Sequence, residues 1–295
     1  SSSTLTPGNA GSSCVITATK AADTNYNAVS TSTQTITINK ANQSALTISS
    51  TSGIFGSALT LTTSGGTTAG SVLYSVTTGT ASTCTESGGS LTAGSAGTCL
   101  VTATMAGSGS YETVSSSQTT ITFAQASQST LTVSSTSGTF GSALTLTASG
   151  GSGNGSVTYA ATTGTASSCT VSGTSLTAGS AGTCLVTATK AADTNYSAVS
   201  STQTTVTFAQ AAQSTLTVSS TSGTFGTALT LTTSGGSGTG SITYAATTGT
   251  ASSCTVSGTS LTAGSAGTCL VTATKASSTN YLSASSVQTT VTFAK

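Results

Sequence analysis

Along residues 129–213 apolar side chains fall at alternate positions, and Thr or Ser fills the gaps. "STLTVSS" puts Leu131 and Val133 on one face, and "SALTLTA" does the same with Leu144 and Leu146. "SVTYAAT" offers Val157, Tyr159 and Ala161; "TCLVTATK" offers Cys184, Val186 and Ala188; "STQTTVTFA" ends on Val206 and Phe208. "CTV" (169–171) and "TSLTA" (174–178) flank Ser172-Gly173, which reads as a tight turn. Apolar residues inside and Thr outside, at period two, mark a half-buried antiparallel strand. Thr suits the outer face because it is β-branched and still hydrated. Turn residues lie between the runs: Ser137-Gly138, Gly150-Gly151, Asn154-Gly155, Gly164 and Gly182. No stretch reads as a helix. Seven short strands separated by such turns predict an all-β chain of two-sheet sandwiches.

The pattern then recurs every 85 residues. Cys14, Cys99, Cys184 and Cys269 are one series at that step; Cys84, Cys169 and Cys254 are a second; Tyr26, Tyr111, Tyr196 and Tyr281 are a third. Residues 129–210 and 214–295 differ at only 11 of 82 aligned positions. The repeats are 44–128, 129–213 and 214–295, and residues 1–43 match only the second half of one. A unit of this length can bury a small core of its own, which favours separate sandwiches over a continuous solenoid. The joints "FAQASQST" (123–130) and "FAQAAQST" (208–215) contain neither Gly nor Pro. A stiff connection is expected, since flexible linkers are rich in Gly and Ser.

Composition removes whole classes of function. Ser and Thr fill more than two-fifths of the chain, against 3% charged residues, no His and no Trp. A net charge of +1 provides no field for phosphates, so no nucleic-acid partner is expected. The period-two patterning and the single proline, Pro7, separate the chain from disordered or mucin-like Ser/Thr tracts. No apolar run approaches the roughly 18 residues of a membrane-spanning helix.

Four motifs resemble the bacterial Ig-like repeat domains of large surface and adhesin-type proteins. They are "GSALTLT" on an early strand, "GSGNGSVTY" leading into the third, "AGTCLVTAT" on a late strand, and "ADTNYSAVSS" running on to "TTVTF". The family's G-D-x-N-Y turn has its counterpart in "ADTNY" at 22–26 and 192–196. The resemblance covers nearly the whole chain and implies tandem Ig-like sandwiches in an adhesin stalk, a cell-wall protein or a phage-like fibre. Paired cysteines and the lack of charge depart from the usual family pattern.

The cysteines are the first candidates for chemistry. Two per repeat, with no His anywhere, make a poor zinc site. Their spacing predicts disulfides Cys84–Cys99, Cys169–Cys184 and Cys254–Cys269, and with them an oxidising compartment. Cys14 belongs to the second series member of each pair and has no mate. The expected reading is that the natural chain continues N-terminally and supplies one; the rival is a filament with Cys14 bonded between chains. Catalysis needs an acid, a base or an activated nucleophile, and no base accompanies the hydroxyls, so no catalytic, cofactor-binding or metal residue is assigned. Asp23 and Asp193 are replaced by Ser in the other copies, which favours turn-shaping over calcium binding. Thr-x-Thr rows raise ice binding as a rival, but outward Thr on any twisted sandwich strand produces the same text.

The expected function is a non-catalytic structural repeat region of an extracellular, cell-surface or secreted stalk, fibre or filament. Its expected partners are itself or neighbouring repeats, with Ser/Thr glycans as a further option. The alternatives are a glycan-binding or cell-binding adhesin module, or a phage tail or capsid appendage.

Overall fold

A computed structural model describes residues 3–295, and every regular element in them is a strand. By contacts the chain divides into two compact units. One runs up to Ser127 and includes Ala192–Ser197; the other comprises Gln128–Ala191 and Ala198–Lys295. These units cut across the sequence repeats, because the segment 192–197 is grouped with the first repeat.

The repeat at 129–213 serves for all three. One layer pairs Leu131–Val133 with Ala148–Gly150, and Leu144–Thr145 with Ser175–Ala178, which in turn pairs with Cys169–Ser172. The other layer is built on Gly182–Lys190, flanked by Val157–Thr163 on one side and Thr204–Ala209 on the other. Ser137–Thr139 joins its edge, running parallel to Thr204–Ala209. This is an Ig-like arrangement: antiparallel layers, with a first strand divided between them.

The division of the first strand is where the structure departs from the sequence reading, which had 129–135 as a strand and Ser137-Gly138 as a turn; Ser137–Thr139 is instead a second short strand. Leu131–Val133 stays in one layer, and the chain then crosses so that Ser137–Thr139 covers an edge of the other. A covered edge offers fewer unpaired backbone groups to other chains. Gly138 is required at the crossing, because a Cβ there would come within 2.9 Å of Cε1 of Phe208. The run 142–148 is divided too. Leu146 turns inward and is 2% exposed, and pairing resumes at Ala148. At that break the hydroxyl of Ser135 accepts from the Thr147 N–H (2.7 Å) and contacts the Thr145 carbonyl (3.1 Å). Ser50 and Ser220 repeat the device. The tight turn lies one residue later than expected. Ser172 pairs with Ser175, so Gly173-Thr174 forms the bend, with Gly173 at φ +60°.

Inside each sandwich the apolar face is as the alternation predicts. Leu131, Val133, Leu146, Leu176, Val186, Ala188, Val206 and Phe208 form one buried cluster, with Tyr159 and Val171 packed against it. Equivalent clusters fill 44–128 and 214–295. The hydroxyls on the outer faces meet across strands. Thr132 and Ser149 are 2.9 Å apart, and Thr189 and Ser200 are also 2.9 Å apart. Thr165 and Thr183 each accept, at Oγ1, the other's backbone N–H. Such pairs do for this surface what opposite charges do on ordinary sheets. Within residues 3–43 there are two short antiparallel ladders, Ser13–Ile16 with Gln34–Thr37 and Thr19–Lys20 with Val29–Ser30. Val15, Ile16 and Val29 are exposed there.

In the structure Cys84 is bonded to Cys99, Cys169 to Cys184 and Cys254 to Cys269. Each bond ties one layer to the other, from the start of a short edge strand to the central strand of the second layer, Gly182–Lys190 or its equivalent. The second cysteine of each pair is fully buried. Because repeats two and three are nearly identical, one controls for the other. Replacing Cys254 and Cys269 by Ala should lower the opening free energy of Gly267–Lys275 by about 3 kcal/mol. Gly182–Lys190 should be unchanged. Hydrogen exchange read by mass spectrometry measures both strands in one sample.

Candidate functional site

The residues singled out for chemistry do not gather into a reactive centre. Among the described residues no group of three or more His, Cys, Asp or Glu side chains could hold a metal ion. The Asp193 carboxylate accepts the N–H groups of Asn195 (2.8 Å) and Tyr196 (2.9 Å), and Asp23 does the same for Asn25 and Tyr26 (2.9 Å each). Both therefore shape turns. The Glu86 carboxylate accepts from the Gly89 N–H at 2.6 Å. Lys190 and Lys275 donate to the carbonyls of Gly151 and Gly236. Cys14 is half-buried and carries a free thiol.

What the fold does assemble is a loop and a seat. In the unit that contains repeats two and three, the loop 278–281 follows the strand Gly267–Lys275. Asn280 Oδ1 accepts the N–H of Ala181 at 2.9 Å. Ala181 lies in the turn before Gly182–Lys190 of the preceding repeat. The ring of Tyr281 meets that of Phe140 edge to face, with centroids 5.7 Å apart and planes at 87°. Ala211, in the joint, donates to the Asn280 carbonyl and accepts from the Leu282 N–H, both at 2.9 Å. Gln210 Nε2 donates to the Ser278 carbonyl at 2.6 Å. Five contacts thus hold one loop, from three separate places in the chain.

The other unit holds the same constellation. Asn195 Oδ1 accepts from the Ala96 N–H at 2.9 Å, and Tyr196 meets Phe55 edge to face at 5.7 Å and 88°. Ala126 bridges Tyr196 as Ala211 bridges Tyr281. Gln125 Nε2 donates to the Asp193 carbonyl. A second glutamine fixes the joint to the repeat that follows it. Gln213 Nε2 donates to the carbonyls of Ala276 (3.2 Å) and Leu282 (2.8 Å), while its Oε1 accepts from Gly238 N–H at 3.1 Å. Gln43 does the same with Ala106, Glu112, Thr67 and Thr68.

None of these glutamines, nor Asn195, Asn280, Phe55 or Phe140, stood out in the sequence as a site. The signals were present: "FAQ" followed by a second Gln three residues on, at both joints, and Tyr at an unbroken 85-residue step. They report contact partners far apart in sequence, which spacing within a single strand cannot reveal.

No protein-family model and no curated protein sequence matches the chain. Three solved structures that the chain matches are each distant from it. The S-layer protein rSbsC is 15% identical at a TM-score of 0.28, and the alignment covers 94% of this chain and 44% of that one. The Escherichia coli adhesin FdeC is 20% identical, with 85% of this chain and 97% of that one covered, at a TM-score of 0.28. Extracellular cadherin domains 3–6 of protocadherin gamma B2 are 11% identical, with 97% and 84% covered and a TM-score of 0.29.

The Asn280–Ala181 bond provides a direct test of the seat. Asn280→Ala removes the acceptor and leaves the backbone of the loop in place. A hydrogen bond of this kind contributes about 1 kcal/mol. Protection of the Ala181 amide in hydrogen exchange should fall about five- to tenfold, while the core strand Gly182–Lys190 keeps its protection. Unchanged exchange at Ala181 would contradict the contact.

Proposed function

We propose that the chain is a non-catalytic structural repeat region of an extracellular stalk, fibre or filament, with a mechanical task. The observation that carries this reading is the loop-and-seat contact. It recurs with the same residue types in both compact units, 85 residues apart. A binding module would gain nothing from keeping such a joint constant; a load-bearing array needs it. Asp23, Glu86, Asp193, Lys190 and Lys275 are engaged in turns and backbone contacts, and hydroxyls pair with each other across strands. Both support a role without catalysis. The inter-layer disulfides fit an oxidising environment outside the cytosol. For a small domain they also supply stability that a thin apolar core cannot.

Small-angle scattering tests the reading. The expected result is an extended particle with a narrow distribution of angles at the joints. Replacing Tyr196 and Tyr281 by Ala should broaden that distribution without unfolding the sandwiches. A compact globule, or a distribution that these substitutions leave unchanged, would contradict a mechanical array.

A further inference from the structure

The second layer has one covered edge and one open edge. In repeat two Ser137–Thr139 lies along Thr204–Ala209, while Val157–Thr163 ends the layer on the other side and pairs only with Gly182–Lys190. Val72–Thr78 and Ile242–Thr248 hold the same place in the other repeats. Among the described residues no further strand pairs with any of the three. Repeat two has a complete repeat on each side of it in the sequence, so the open edge is a property of the sandwich.

The register shows which backbone groups this edge offers. At one end the Ser156 carbonyl accepts the Ala191 N–H (2.9 Å), and at the other the Gly164 N–H donates to the Thr183 carbonyl (3.0 Å). Even-numbered residues therefore bond inward to Gly182–Lys190, and the N–H and C=O groups of Val157, Tyr159, Ala161 and Thr163 point outward. No hydrogen bond among the described residues reaches those outward groups. Natural edges are usually blunted by charge, proline or a bulge. This strand, VTYAATT, has no charge and no proline, and its pairing runs without a bulge. VLYSVTT and ITYAATT in the other repeats are alike in this.

We propose that copies of the chain associate through these edges, Val157–Thr163 of one pairing antiparallel with Val157–Thr163 of another about a twofold axis at Ala160. That register sets Val157 opposite Thr163 and Tyr159 opposite Ala161, so each outward N–H and C=O meets an outward partner. On the inner side the large Tyr159 lies beside the small Ala161; on the outer side Thr158 faces Thr162 and Ala160 faces Ala160. With no charge on the strand, two copies meet without repulsion. A strand that is its own complement selects a second copy over an unrelated peptide. The edges of repeats one and three have their axes at Ser75 and Ala245. A single added strand is small beside a standard interface, so a dissociation constant on the order of 0.1–1 mM per edge is expected. The proposal needs neither the joints nor the extracellular placement of the proposed function.

Charge placed on the axis tests it, because like charges directly opposite destabilise a strand pair. Ser75, Ala160 and Ala245 are exposed, so substitution there leaves the core alone. The full chain, with Cys14 capped by iodoacetamide, is followed by sedimentation velocity from about 10 μM to about 1 mM. The unsubstituted chain should gain mass with concentration. A variant with Lys at all three positions and one with Glu at all three should each associate about fivefold more weakly per edge. An equimolar mixture of the two should recover association, and that recovery should fall as salt is raised. The register has its own test in chains carrying Cys14→Ala. Ala160→Cys should link to itself under mild oxidation, since residues opposite each other at a non-hydrogen-bonded position lie within disulfide reach. Thr158→Cys should not link to itself but should link to Thr162→Cys. Three results would overturn the proposal: an unsubstituted chain monomeric throughout, Lys and Glu variants that associate as it does, or Thr158→Cys linking to itself as readily as Ala160→Cys.

Discussion

Each sandwich closes around one phenylalanine. Phe208, 2% exposed, is the largest fully buried side chain of its repeat, and Phe123 and Phe293 hold the same place in the others. The rest of the core is Leu, Val and Ala with one half-buried Tyr. So little apolar volume forces the layers close together. It fixes glycine opposite the ring at Gly53, Gly138 and Gly223, where any Cβ would press on the phenylalanine. It also leaves a modest margin of stability, to which the inter-layer disulfide adds a sizeable share. Removing the glycine or the disulfide would act on the same thin core.

The outer faces answer a second constraint, the near absence of charge. With five lysines and four acids in 295 residues, ion pairs cannot organise the surface. Hydroxyls do so. The Ser135 hydroxyl completes a broken ladder, Thr165 and Thr183 cap each other's amides, and Thr–Ser pairs line up across strands. Each contributes a few tenths to about 1 kcal/mol, and the arrangement recurs in all three repeats. The Ser/Thr content that resembles low complexity in the sequence is, in the fold, a set of specific pairings.

Much of the sandwich was legible because period-two alternation depends only on which face is wet. Leu131, Val133, Val186, Val206 and Phe208 are buried as that pattern requires. The sheet switch between Val133 and Ser137 was not legible. Ser137–Thr139 carries no apolar alternation and reads as a turn, and the Phe208 ring that requires glycine at 138 lies across the core, far away in sequence. Asn195 and Asn280 were hidden for a related reason. Their partners, Ala96 and Ala181, lie 99 residues earlier and offer only a backbone N–H, which leaves no mark in the sequence. The tyrosines did show through their repetition, though as turn-packing residues and not as parts of a joint.

In the proposed reading, the joint is what turns a set of small sandwiches into a mechanical element. A rigid connection between repeats two and three requires the Tyr281 ring to rest on Phe140 in solution. Nuclear Overhauser spectroscopy on the chain labelled at Phe and Tyr measures this directly. Cross-peaks between the two rings are expected, together with a single alignment tensor for residues 128–191 and 198–295. Absent ring cross-peaks, with the two repeats aligning independently, would contradict the account.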